Sequence, residues 1–137
     1  MSVAKCFFMV VRKEVENWWK QAEEDFSSAK FNFDGKKYYL AVFLCQQAVE
    51  KGLKAYFLKV KRTSAGLTHS LVYLATEIKM PKKFFSFLRR LTPQFVDTRY
   101  PDASYGVPSE FYDDEFALEF IEGTEEVMEW LRLQIKK

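Results

Sequence analysis

Between Arg12 and Phe33 the apolar residues Val15, Trp18, Trp19, Ala22, Phe26, Ala29 and Phe33 recur every three or four positions. That spacing draws one stripe down a helix. Glu14, Glu16, Lys20, Glu23, Glu24 and Lys30 fall mostly off the stripe. Asp34-Gly35 stops the pattern, with the glycine read as the left-handed residue that closes a helix.

A second helix is expected over Lys37–Lys61. Tyr38, Ala41, Val42, Cys45, Ala48, Val49, Gly52, Leu53, Ala55 and Tyr56 fill one half of its wheel. Gln46, Gln47, Glu50, Lys51 and Lys54 form a polar arc opposite, broken by Tyr39, Phe43 and Phe57. A helix that is apolar on one side and aromatic on part of the other is central or touches a second surface. A subunit interface is the expected second surface.

Arg62 to Thr68 reads as a loop, with Thr68 as N-cap of a third helix over Ser70–Ile78. Pro81 opens a fourth over Lys82–Leu91, with Phe84, Phe85, Leu88 and Leu91 on one face. After Pro93 a short helical turn is expected over Gln94–Thr98. Tyr100 to Tyr112 holds Pro101, Gly106 and Pro108 and reads as the longest loop. The last helix is expected over Asp113–Ile135, with Asp113, Asp114 and Glu115 in its first turn and Arg132, Lys136 and Lys137 at its far end. Both ends complement the helix dipole. There is no alternating strand pattern and no internal repeat. The expected fold is all-α, an antiparallel up-and-down helical bundle of three long helices plus two short ones. It forms a single domain over residues 1–137, of which 1–11 make an N-terminal extension that packs on the bundle.

Length and composition narrow the classes. A chain of 137 residues, 48% of them hydrophobic, buries a core without staples and is not disordered. The longest apolar run, Cys6 to Val11, falls well short of the roughly 20 residues that span a bilayer. Cys6 and Cys45 form no CxxC and no disulfide framework, and Cys45 lies in an apolar pattern as a small buried hydrophobe. A reducing, cytoplasmic setting fits them.

The net charge of +2 is unevenly spread. Residues 51–99 carry eleven bases against two acids, and residues 113–137 eight acids against three bases. A basic middle facing an acidic tail is either an anion-binding surface or a set of solvated, mutually paired helix faces.

The single histidine, His69, excludes sites built from several histidines, including the paired Glu-x-x-His of di-iron bundles. No glycine-rich phosphate loop of the Rossmann or P-loop type is present, so neither a metal nor a cofactor is expected. His69 is the one side chain suited to general-base chemistry near neutrality, and Arg99, just before the long loop, is its candidate companion. The ordinary alternatives are a local cap or packing role for His69 and an Arg99 held by Asp97, Asp102 or a helix C-terminus. Gln47, Glu50, Lys51 and Lys54 are candidate ligand-binding residues, although Glu50 and Lys54 also have the spacing of a plain i, i+4 pair.

Four blocks, read together, resemble one family. Trp18, Ala22 and Asp25 come first. Then follow Tyr38, Ala41, Phe43, Gln46-Gln47-Ala48, Glu50-Lys51 and Leu53-Lys54-Ala55; then Thr68-His69-Ser70-Leu71; then Arg99-Tyr100-Pro101-Asp102. This order resembles the HEPN domain family over roughly residues 14 to 135. The resemblance implies an up-and-down bundle that pairs as a homodimer. It implies association with a minimal nucleotidyltransferase partner in toxin–antitoxin-like modules, and nucleotide or RNA as ligand. Arg89, Arg90, Tyr100 and Asp102 join the candidate ligand-binding residues on this basis, because arginine's fork binds two phosphate oxygens at once.

Many HEPN proteins are metal-independent ribonucleases, marked by an arginine followed a few residues later by a histidine. In this chain Ser104, Tyr105 and Gly106 stand where that histidine belongs after Arg99. Arg62 and His69 meet the spacing literally but flank a different loop. Three readings follow: a binding module for nucleotide or RNA, a metal-independent ribonuclease using Arg99 and a displaced His69, and a ligand-free helical interaction protein.

Overall fold

The computed structural model describes residues 2–137. The bundle is all-α, built on α1 (Val3–Asp34), α2 (Tyr38–Lys61) and α7 (Asp114–Ile135). Between α2 and α7 lie α3 (Leu71–Glu77), α4 (Phe85–Leu91), α5 (Gln94–Asp97) and α6 (Pro101–Ser104). Two 3-10 turns, Lys82–Phe84 and Pro108–Glu110, join them.

α1 begins at Val3 rather than at Arg12. Ser2 caps it by accepting the Lys5 N–H at 3.2 Å, and no glycine or proline interrupts the chain before Gly35. Residues 3–10 are therefore helical, and their side chains are exposed. The buried face of α1 is Val11, Val15, Trp19, Ala22, Asp25, Phe26 and Ala29. Trp18, expected on that stripe, is 37% exposed. The turn after α1 places Lys36, not Gly35, in the left-handed region, at φ 64°.

α2 is the central helix and packs against α1, α3, α5 and α7. A Cβ on Gly52 would lie 3.0 Å from Leu131 Cδ1 and 3.3 Å from the Trp19 ring, so this glycine makes room for side chains of both other long helices. Arg62 lies against Phe8, and Lys51 against Asp25, so α1 and α2 are antiparallel. Gly52 faces Met128 and Leu131, and Lys59 Nζ donates to the carbonyls of Gln134 and Ile135, so α2 and α7 run the same way. The short helices supply the return leg. Phe84 meets Trp130, Phe87 meets Phe120, and Arg90 meets Glu119, so α4 climbs antiparallel to α7.

Two further boundaries differ from the sequence pattern. Ser70, not Thr68, caps α3 by accepting the Tyr73 N–H, while Thr68 Oγ1 accepts the Ser70 N–H. The stretch from Tyr100 to Tyr112 is not an open loop but holds α6 and a 3-10 turn, each started by a proline with its φ already set. Gly106 lies close under the Phe111 ring, which a Cβ would meet at 2.5 Å. Among the described residues no helix is long and apolar enough to cross a membrane.

Candidate functional site

The polar arc of α2 is not a surface. Gln46, Glu50 and Lys54 are buried inside the chain itself, where the short-helix leg and α1 cover them. Burial forces these groups to partner one another, since an unpaired charge there is costly. Gln47 Nε2 donates to Gln46 Oε1 at 2.7 Å, and Gln46 Nε2 donates to Glu50 Oε1 at 3.1 Å. Lys54 Nζ donates to Glu50 Oε2 at 3.3 Å and lies 5.8 Å from the Trp18 ring. Lys51 turns the other way, to Asp25, whose second oxygen accepts Gln21 Nε2 at 2.9 Å.

One member of this network reaches the surface. His69 Nδ1 lies 2.8 Å from Glu50 Oε1, and the histidine side chain is 48% exposed. Its imidazole stacks on the Phe95 ring, centroids 3.8 Å apart at 18°. A buried carboxylate thus holds one nitrogen of a half-exposed imidazole.

Arg99 comes to the same ring. Its guanidinium carbon is 4.2 Å from the Phe95 centroid, 5.1 Å from Phe43 and 5.0 Å from Tyr100. Its Nε donates to the Phe95 carbonyl at 2.7 Å. Among the described residues no carboxylate lies within ion-pair distance of Arg99. The remaining guanidinium donors are therefore open to an anion. Distances of 3.8 and 4.2 Å to one centroid put the imidazole and the guanidinium within about 8 Å of each other, inside the span of a single nucleotide.

The structure thus gathers His69, Arg99, Tyr100 and Glu50 around Phe95. Gln47 joins indirectly, through Gln46. Arg90 faces the other side of the short-helix leg, paired with Glu119 at 2.7 Å and set over Phe120. Arg89 and Asp102 are exposed without polar contact to the cluster. The residue that sequence reading missed is Phe95, the ring on which the cluster rests. Its signal was position: Phe95 and Arg99 are four apart, a spacing that lets two side chains meet across one turn of chain. Among the described residues no group of acidic, histidine or cysteine side chains is arranged to hold a metal ion.

The family model for the HEPN domain matches residues 15–134. The chain belongs to the HEPN family. This HEPN chain is similar to the crystal structure of ST0689, an archaeal HEPN homologue, with 35% identity and a TM-score of 0.76 over 89% of this chain and 98% of that one. TT1696 from Thermus thermophilus has the same fold, with 23% identity and a TM-score of 0.80 over 88% of this chain and 98% of that one. No curated protein matches the HEPN chain by sequence.

Proposed function

We propose that this HEPN chain is a cytoplasmic homodimeric module that binds nucleotide or RNA at the Phe95 cluster and works with a minimal nucleotidyltransferase partner in a toxin–antitoxin-like system. The observation that carries the ligand is Arg99, exposed, without a carboxylate partner and surrounded by Phe43, Phe95 and Tyr100. A free guanidinium among aromatic rings offers a phosphate a two-pronged donor and a base a stacking face. The dimer and the partner are what the family membership leads us to expect, and Lys79, Lys82, Lys83 and Arg89 add exposed positive charge on the short-helix side.

The test is RNA and nucleotide affinity as a function of salt, for the chain and for Arg99→Ala. Affinity that falls steeply with salt, and that Arg99→Ala weakens, supports the proposal. Binding that is absent or indifferent to salt ends it. Sedimentation at micromolar concentration tests the dimer, and a monomer there removes that part.

A second reading is favoured by one observation: His69 and Arg99, far apart in sequence, meet at Phe95. A metal-independent ribonuclease with a displaced histidine needs these two side chains to converge at a cleft, and their shared contact with Phe95 supports the convergence. Cleavage of RNA in EDTA that both Arg99→Ala and His69→Ala abolish supports it. Cleavage no greater than that of the two variants leaves the binding module. The ligand-free interaction protein is the outcome if neither cleavage nor salt-dependent binding is found.

A further inference from the structure

We infer that Glu50 is a positioning residue for His69. It takes the Nδ1–H of the imidazole and leaves Nε2 as a bare acceptor toward solvent. The inference deepens the second reading above and rests on it only for its catalytic consequence.

The carboxylate is fixed before the histidine meets it. Glu50 sits mid-helix in α2, is nearly fully buried, and is held by Gln46 Nε2 on Oε1 and Lys54 Nζ on Oε2. Both carboxylate oxygens already serve as acceptors, Oε1 for an amide N–H and Oε2 for an ammonium. The group 2.8 Å from its Oε1 must therefore donate, and that group is Nδ1 of His69. The neutral imidazole carries one proton, so the Nδ1–H form leaves Nε2 with its lone pair free.

Two more contacts hold the ring. Phe95 lies against its face at 3.8 Å, and the backbone on either side is pinned by Thr68 Oγ1 accepting the Ser70 N–H and by Ser70 capping α3. A hydrogen bond at one nitrogen, a stacked face and a pinned backbone fix where Nε2 points. Arg99 stands on the same aromatic ring, its guanidinium carbon 4.2 Å from the Phe95 centroid. A bare imidazole nitrogen and an unpaired guanidinium held within about 8 Å of each other by one ring suit a phosphate ester that also carries a hydroxyl: the phosphate on Arg99, the hydroxyl proton on Nε2. A carboxylate that orients and polarises the imidazole in this way touches no substrate itself.

One histidine in the chain makes the test direct. Nitrogen-15 NMR of the whole protein at a pH where His69 is neutral gives a single pair of ring signals, which report the tautomer. The expected result is the Nδ1–H form. In the double variant Glu50→Leu/Lys54→Met, which removes the acceptor without stranding the buried ammonium, the Nδ1–H signature is expected to be lost. An Nε2–H tautomer in the unaltered protein overturns the inference. So does an Nδ1–H tautomer that survives in the double variant, provided the variant's helical circular dichroism and cooperative melt show it folded. RNA cleavage in EDTA, run beside the NMR, separates the two claims. A locked Nδ1–H tautomer without cleavage ends the ribonuclease reading and leaves the positioning by Glu50 standing.

Discussion

Arg99 binds the residue one turn before it twice: its Nε donates to the Phe95 carbonyl at 2.7 Å, and its guanidinium carbon lies 4.2 Å from the Phe95 ring. Those contacts orient the side chain and leave the other guanidinium nitrogens free. Replacing Arg99 with alanine is expected to lower nucleotide or RNA affinity by about tenfold or more, the loss of a hydrogen bond to a charged group worth roughly 1.5–3 kcal/mol. The slope of log affinity against log salt should fall by about one. Stability should stay within about 0.5 kcal/mol, because the side chain is exposed. Arg99→Lys should rescue little, since an ammonium neither forks nor stacks.

The Glu50–Lys54 pair makes a different prediction, about folding. Both side chains are more than nine-tenths buried. Glu50→Leu strands the Lys54 ammonium and should destabilise the fold by about 3–5 kcal/mol, read from urea unfolding. Adding Lys54→Met should recover most of that loss, because a neutral apolar pair has no desolvation to offset. If the double variant is as unstable as Glu50→Leu alone, the ion pair is not what the site needs.

Gly123 on α7 faces the Phe87 ring of α4 so closely that a Cβ would fall 2.3–2.7 Å from three ring atoms. Phe87 cannot retreat freely, since it also packs on Phe120. Gly123→Ala should therefore cost about 1–2 kcal/mol despite alanine's better helix propensity, the overpacking outweighing a gain of about 1 kcal/mol. Thermal unfolding of Gly123→Ala checks this. The shorter Phe87→Leu side chain in the same background should restore part of the loss.

Stability is expected to fall in alkali. Burial pushes the Tyr112 hydroxyl from 10.0 up to about 12, with the negative charge of Asp97 adding to the effect. Burial likewise pushes the Cys45 thiol from 9.0 up to about 12. In both, the folded state favours the neutral, protonated form. The contribution is complete below the unfolded values and is lost as pH climbs through the folded ones. Urea midpoints should hold to about pH 9 and decline from there toward pH 12. Tyr112→Phe should flatten that decline, while lowering stability at neutral pH because Gln94 loses the hydroxyl that donates to it.

Much of the bundle was legible along the chain because a long helix declares its own buried face. The stripe from Val15 to Ala29 and the apolar half of α2 each reported a period of three to four residues, and, Trp18 aside, those positions lie in or against the core. Ends were less legible. Ser2 starts α1 two turns and more before the apolar stripe begins, because a cap and the absence of glycine or proline let a helix extend past the residues that bury it.

The candidate site was legible only as a set of residue types. The order of residues was enough to put Glu50 and Lys54 on one helical face and to leave one histidine for any imidazole chemistry. It took the packed chain to make the polar arc of α2 interior, to bring His69 to Glu50 across nineteen residues, and to turn Lys51 and Arg90 away toward Asp25 and Glu119. The physical reason is the range of the signal. Periodicity follows from the helix's own geometry and is local, whereas the cover over a polar face is supplied by a distant segment. That cover depends on where the loop after α2 and the climb of α4 and α5 lay it down.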